Sequence, residues 1–78
     1  MAKQERKAKN PILVEFAKRV RARRHELGIT QEELAEMCGF HVNFIGGIER
    51  ATRNPSLLSI LVLSKALRLL PKELIPNS

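Results

Sequence analysis

TQEELAEMCGFHVNFIGGIE, residues 30–49, is the stretch that determines the predicted fold. Its first four residues form a capping box, in which the Thr30 hydroxyl and the Glu33 carboxylate each accept a hydrogen bond from a free backbone N–H at the start of a helix. Gly39 ends this helix after about two turns, because glycine adopts the left-handed conformation that commonly follows a helix. One buried face is predicted for it, formed by Leu34, Ala35 and Cys38.

A second short helix is predicted from about His41 to Arg50, with Phe44, Ile45 and Ile48 turned inward. Only a tight turn at Gly39 separates the two short helices. Two helices at this spacing are typical of a helix-turn-helix, in which the second helix enters the major groove of DNA and the first crosses the backbone. Other helical hairpins have the same spacing, so only the residue types at each position can distinguish a DNA-binding helix-turn-helix from them.

The flanking sequence predicts further helices and no strand. Pro11 suits the first turn of a helix that Gly28 ends. Ser56 is placed to cap a fourth helix that continues to about Leu69, and residues 71–75 can add one last turn. The expected fold is therefore all-α, with four or five helices and short connections. The first helix has an amphipathic spacing formed by Leu13, Phe16, Ala17, Val20, Arg24 and Leu27.

The residue types match those of a DNA-binding helix-turn-helix. Ala35 has to be small where two helices cross closely, and Gly39 has to accept a left-handed backbone. From about Val20 to Leu74 the chain resembles the Cro-repressor superfamily. That resemblance implies a compact, lambda-repressor-like domain. The apolar, small, turn, apolar and apolar positions of the unit are occupied by Leu34, Ala35, Gly39, Ile45 and Ile48.

Within that superfamily, GFHVNFIGGIERATRNPSLLSI, residues 39–60, is similar to the controller proteins of restriction–modification systems. Four positions depart from the controller pattern: Val42 stands in place of arginine, Asn43 of threonine, Phe44 of tyrosine and Ala51 of glycine. The resemblance implies a dimeric transcriptional regulator that binds a near-palindromic operator. The pattern is kept at His41, Ile45, Ile48, Glu49, Arg50, Arg53 and Asn54.

The charge of the chain is concentrated near its beginning. The formal net charge is +6, and residues 1–29 hold nine Lys and Arg against three Glu, whereas later residues hold five of each sign. This asymmetry favours a polyanionic partner, with a membrane surface as the weaker option. Residues 1–10 are predicted to be a basic flexible arm, or simply a solubilising tail, preceding a domain over residues 11–78.

DNA contacts are expected from the second short helix and its flanks. The predicted base-contacting residues are His41, Val42, Asn43, Gly46 and Gly47. Asn43 is the strongest of these, because its amide can pair with both N6 and N7 of adenine. His41 could equally cap the helix, and the two glycines could serve close approach to the groove or tight packing against the preceding helix. The predicted phosphate-contacting residues are Gln31, Arg50 and Arg53.

One ion pair can be predicted from spacing. Arg24 lies on the apolar face of the first helix, and Glu49 lies four residues after Ile45 on the apolar face of the third. Because a charge that faces a core is costly unless it is paired, Arg24 and Glu49 are expected to form a partly buried salt bridge. The superfamily resemblance implies the same pairing.

The fourth helix is apolar on two faces. One stripe, Leu57, Ile60, Leu63 and Leu67, is expected to pack on the other helices. A second apolar stripe needs a partner, which favours a homodimer. Part of this stripe could instead pack under the C-terminal segment. The predicted dimer interface is Leu58, Leu61, Val62, Leu69 and Leu70, which Leu74 and Ile75 could extend.

Several other classes of function are disfavoured. No nucleophile–base arrangement or phosphate loop is apparent, so an enzyme is not expected, nor are a metal, a cofactor or a small-molecule ligand. Cys38 is expected to be a buried structural thiol, and one cysteine without a signal peptide or membrane span fits a cytoplasmic protein. The remaining alternative is an antitoxin or adaptor that uses this fold mainly to bind a partner protein.

Overall fold

The computed structural model describes residues 9–77 and consists of five α-helices in that range, without a strand. None of these helices combines the length and the apolar composition that crossing a membrane requires. Residues 1–8 of the predicted basic arm lie outside the described residues. The helices are α1 (Pro11–Glu26), α2 (Gln31–Cys38), α3 (Val42–Glu49), α4 (Leu57–Ala66) and α5 (Pro71–Leu74).

Side-chain caps begin the first four helices. The Asn10 side chain accepts a hydrogen bond from the Ile12 N–H at 2.8 Å, so Asn10, which was predicted as the last residue of the arm, caps α1. The capping box of α2 is present, with Thr30 Oγ1 accepting from the Glu33 N–H at 3.0 Å and Glu33 Oε1 accepting from the Thr30 N–H at 2.8 Å. Ser56 accepts from the Ser59 N–H at 3.1 Å and caps α4.

One core joins all five helices. Helix α3 packs against α1 and α2, and α5 connects α4 to α1. The buried cluster contains Phe16, Val20, Leu34, Ala35, Ile45, Ile48, Leu63, Leu67 and Leu74. The predicted inward faces of the first three helices therefore supply most of the core.

The C-terminal part differs from the prediction in three ways. Helix α4 ends at Ala66 rather than near Leu69, because the chain turns at Arg68 with φ of 59°. Leu57, predicted for the inward stripe, is 68% exposed, because it occupies the first turn of α4. Leu74, expected as a possible extension of the dimer interface, is instead fully buried where α5 packs on the core.

Left-handed backbone occurs at four of the described residues, Gly28, Gly39, Ala51 and Arg68. Gly39 has φ of 72° and ends α2, as predicted. Ala51 has φ of 61° after α3, at the position where the controller pattern has glycine. A residue with a Cβ is strained in this region by roughly 1–2 kcal/mol, so this departure from the pattern carries a cost in stability.

Candidate nucleic-acid interface

A buried ion pair fixes the end of α1 to the end of α3. Arg24 Nε donates to Glu49 Oε2 at 2.7 Å and Arg24 Nη2 donates to Glu49 Oε1 at 3.0 Å, which is the two-pronged geometry that arginine and carboxylate favour. The Gln31 side-chain amide also donates to Glu49 Oε1, at 3.0 Å. Arg24 Nη1 donates to the Ile29 carbonyl at 2.9 Å. The Arg24–Glu49 pair predicted from spacing is thus present, and Gln31 is part of the same network.

The network also sets the ionisation of Glu49. Burial by itself would raise the pKa of this carboxyl, since it disfavours the charged form. Hydrogen bonds from Arg24 and Gln31, together with the charges of Arg24 and Arg21, outweigh burial and lower the pKa below its usual value. Glu49 is therefore a stable anion that holds α1, α2 and α3 in a fixed relation.

The N-terminus of α3 presents side chains to solvent. His41 is the N-cap, and its Nδ1 accepts a hydrogen bond from the Asn43 N–H at 3.1 Å. In the tautomer that this bond requires, Nε2 carries the proton and can donate outward. Asn43 is exposed, while Val42 is half-buried against the core. The capping alternative for His41 is the arrangement observed.

Gly46 and Gly47 are both buried. A Cβ added to Gly46 would lie 2.9 Å from Nη1 of Arg50. A Cβ added to Gly47 would clash with Cγ of Arg53. Two arginine side chains therefore lie across the surface of α3 where both glycines are found.

Arg53 lies over the ring of Phe44. Its guanidinium carbon lies 5.6 Å from the centroid of the Phe44 ring, within the range of a cation–π contact. The Phe44 ring meets the Phe40 ring edge to face, with centroids 5.1 Å apart. Phe44 was predicted to turn inward; it is partly buried, packs against the core cluster and also contacts Arg53.

A basic groove beside Arg50 was missed by the sequence analysis. It runs between α1 and the end of α3, and the Lys9 ammonium donates to the Arg50 backbone carbonyl at one end of it. Lys18 and Arg21 lie three residues apart on α1, which is the spacing that brings two side chains to one helix face. That spacing was the available signal. The cationic residues lining the groove are Lys9, Lys18, Arg21 and Arg50.

Two other arginines of α1 are used within the fold. Arg23 Nε donates to the Leu67 carbonyl at 2.8 Å, at the C-terminus of α4. Arg19 Nη1 lies 3.4 Å from the carbonyls of Glu73 and Ile75, at the end of α5. Cations are favourable at helix C-termini, so part of the positive charge of α1 stabilises the C-terminal helices.

An exposed apolar patch covers the outer side of α4 and the residue before α5. Leu58 is 73% exposed, and Leu61, Val62 and Leu70 are also exposed. Leu57 joins this patch rather than the core. Leu69, predicted to belong to the interface, is half-buried and packs against the core cluster. These five exposed residues, Leu57, Leu58, Leu61, Val62 and Leu70, are called the dimer patch, because dimerisation through them is proposed below.

Other reactive groups of the described residues are few. Cys38 is a free, half-buried thiol, and burial raises its pKa, which disfavours the reactive thiolate. Within residues 9–77, histidine, cysteine and carboxylate side chains do not come together in a group of three that could hold a metal ion.

The helix-turn-helix family model matches residues 20–74, which include the buried ion pair, α2, α3 and both arginines that cross α3. The chain belongs to the helix-turn-helix family. Within this family the chain is 43% identical to the control protein C.BamHI of Bacillus amyloliquefaciens over 67 residues, which cover 85% of the chain and 83% of the relative. It is 42% identical to C.SmaI of Serratia marcescens over 52 residues, 67% of the chain, and it spans only 62% of that relative.

Solved structures of controller proteins are also similar to this helix-turn-helix protein. The restriction–modification controller protein C.AhdI from Aeromonas hydrophila is 44% identical, with a TM-score of 0.78 over 81% of the chain and 96% of the controller. The controller C.Esp1396I, solved as a tetramer in complex with its natural 35 base-pair operator, is 28% identical with a TM-score of 0.75. The match covers 85% of the chain and 97% of C.Esp1396I.

Proposed function

We propose that this helix-turn-helix protein is a transcriptional regulator that binds double-stranded DNA sequence-specifically, as a dimer on a near-palindromic operator. The observation that carries the proposal is the exposed start of α3 with Asn43, on the helix whose later surface the Arg50 and Arg53 side chains cross. An α-helix fits the major groove, and neighbouring cations supply the affinity for phosphates.

Asn43 is proposed as the main base-contacting residue. Its side chain is exposed at the second position of α3, and its amide can pair with N6 and N7 of adenine. Val42 can contact a thymine methyl with the part of its side chain that is exposed. His41 can donate from Nε2 to a base or a phosphate while its Nδ1 caps the helix. Gly46 and Gly47 are not retained among the base-contacting residues, because arginine side chains cover them.

Phosphate contacts are proposed for Arg50 and Arg53 and for the N-terminal end of α2. The Gln31 side-chain amide already donates to Glu49, so the contribution of Gln31 is assigned to its backbone N–H at the helix start. Arg21 and Lys18 extend the cationic surface from Arg50 along α1. A duplex that lies on α3 would bring its backbone to this groove.

Dimerisation is proposed through the dimer patch. Leucine and valine side chains that are between about a third and three quarters exposed in a single copy are favourable to bury against a second copy. A two-fold arrangement would place two α3 helices about 34 Å apart, one turn of DNA. The similarity to C.BamHI and C.AhdI favours a controller of a restriction–modification system over an antitoxin or an adaptor.

Selection of bound duplexes from a random DNA pool, repeated at two salt concentrations, tests this function. The expected product is a near-palindrome with half-sites about one helical turn apart. On that operator, Asn43→Ala should lose roughly 1–3 kcal/mol of discrimination at one base pair of each half-site. Salt-sensitive binding without a recovered motif would contradict sequence-specific regulation.

The basic groove has its own test with a matched control. Arg21→Gln removes a charge in the groove, whereas Lys72→Gln removes the same charge from exposed α5. The slope of log K against log salt should fall in magnitude by about 0.9 for each phosphate that the protein no longer neutralises, so a dimer with Arg21→Gln should show a slope smaller by about 1.8. Equal slopes for the two variants would remove Arg21 from the interface.

A further inference from the structure

We infer that Gly47 is a positioning residue, whose missing side chain allows Arg53 to lie across α3 against Phe44. The inference rests on the proposed DNA-binding function and goes beyond it, since it assigns this glycine a role without any contact to DNA. Glycine is among the poorest helix formers, yet two of them occupy adjacent places in an eight-residue helix. Their presence therefore requires a structural reason.

The space beside each glycine gives that reason. Both are buried, and arginine atoms are the nearest neighbours of the missing Cβ atoms. At Gly47 the neighbours are Cβ, Cγ and Cδ of Arg53, the part of the side chain that is closest to its own backbone. At Gly46 they are the guanidinium atoms Nη1 and Cζ of Arg50, with Oε1 of Gln31 3.8 Å away.

This difference makes the two positions unequal. A Cβ at Gly47 meets the near end of Arg53, so the whole side chain has to leave its place and can no longer stack on Phe44. A Cβ at Gly46 meets only the far end of Arg50, which can rotate away while the rest of the side chain stays. Gly47 is therefore the more demanding position, although the two substitutions are chemically the same.

The consequence for binding concerns where the charge of Arg53 is held. A guanidinium that lies against Phe44 loses less freedom when it meets a phosphate than a freely rotating one does. Gly47 contributes to affinity because it leaves room for that pre-arranged position. The Asn43 side chain stands outside this arrangement, so base preference should stay the same when Gly47 is changed.

A double-mutant cycle on the selected operator tests the inference. Gly47→Ala and Arg53→Ala are each expected to weaken the binding of the dimer by about tenfold or more, with a similar reduction in salt slope, and the double variant should be no weaker than Arg53→Ala alone. Gly46→Ala is the matched control and should bind within about threefold of wild type. The recovered motif should be unchanged in all of them.

The NMR signals of the Arg53 side chain give a second, independent measurement. In the wild type the Phe44 ring current should shift the Arg53 methylene and Nε–H resonances, and Gly47→Ala should return them toward random-coil positions while Gly46→Ala leaves them in place. If Gly47→Ala lowers the melting temperature, the double variant should recover it, because the clash is then absent.

Three results would overturn the inference while leaving the proposed function intact. They are wild-type affinity in Gly47→Ala when Arg53→Ala binds weakly, additive losses in the double variant, and Arg53 resonances that do not move. Failure of the proposed function itself is distinguishable, because the wild-type protein would then recover no operator in the selection.

Discussion

Replacing Glu49 by alanine should strand Arg24 in the protein interior. The substitution removes three hydrogen bonds, two from Arg24 at 2.7 and 3.0 Å and one from Gln31 at 3.0 Å. Only 11% of the Arg24 side chain and 4% of the Glu49 side chain are exposed, so water does not replace these bonds without a rearrangement. Removing one partner of such a buried pair costs about 3 kcal/mol or somewhat more.

That loss is large for a domain of this size. At roughly 0.05–0.15 kcal/mol per residue, the whole chain is stabilised by about 4–12 kcal/mol. A loss of about 3 kcal/mol should lower the melting temperature by roughly 12–24 °C. Urea unfolding followed by far-UV circular dichroism is the suitable assay, since the chain has no Trp or Tyr for fluorescence. The protein concentration has to be kept constant, because dimerisation adds to the apparent stability.

Glu15→Ala is the matched control for this measurement. Glu15 pairs with Arg19 at 3.2 Å across one helix turn, but 45% of its side chain is exposed, and such pairs contribute only about 0.3–0.5 kcal/mol. A second variant, Arg24→Met with Glu49→Met, removes both charges and should recover much of the stability. If Glu49→Ala shifts the urea midpoint no more than Glu15→Ala, the buried-pair reasoning is refuted.

Three further predictions concern pH, backbone strain and assembly. The pKa of Glu49 is lowered in the folded protein, so the contribution of Glu49 to stability should be complete above the unfolded pKa of about 4.3. This contribution should be lost as the pH falls through the lower pKa of the folded protein. Glu49→Gln should abolish this part of the pH dependence of the urea midpoint. Arg68→Gly should stabilise the fold by about 0.5–1 kcal/mol, since relief of left-handed strain exceeds the added entropy of the unfolded chain, whereas Arg68→Ala keeps the strain; equal urea midpoints for the two would contradict this. Leu61→Asp should turn the dimer into a monomer in sedimentation equilibrium, while Met37→Asp, at an exposed apolar residue of α2, should not.

Local signals in the sequence were sufficient to predict where α2 begins and ends. The capping box at Thr30 and the left-handed Gly39 each depend on residues within one turn, and both were predicted correctly. The end of α4 was not, because Arg68 occupies a left-handed turn without the glycine that normally marks one. A non-glycine residue in that conformation is imposed by packing elsewhere in the fold.

The spacing of apolar residues also predicted the apolar faces of the helices better than it predicted which residues on those faces are buried. Leu57 and Leu63 both fit the inward stripe of α4, yet only Leu63 is buried, because the first turn extends past its neighbours. The arginines of α1 are similar in sequence but differ in use, since Arg23 binds a carbonyl of the C-terminal helices and Arg21 lines the groove. Tertiary contacts decide which carbonyl or glycine an arginine side chain contacts, and the periodicity of the sequence does not predict them.

The bonds from Arg19 and Arg23 to the ends of α5 and α4 have a consequence for the operator that the proposed dimer would bind. In the proposed dimer, these bonds connect α1 to the helices next to the dimer patch, so the two α3 helices are expected to have a fixed separation. One base pair added between half-sites moves one half-site relative to the other by about 3.4 Å and turns it by about 34°. We therefore expect the protein to select operators by the length of the spacer between half-sites as well as by the bases within each half-site.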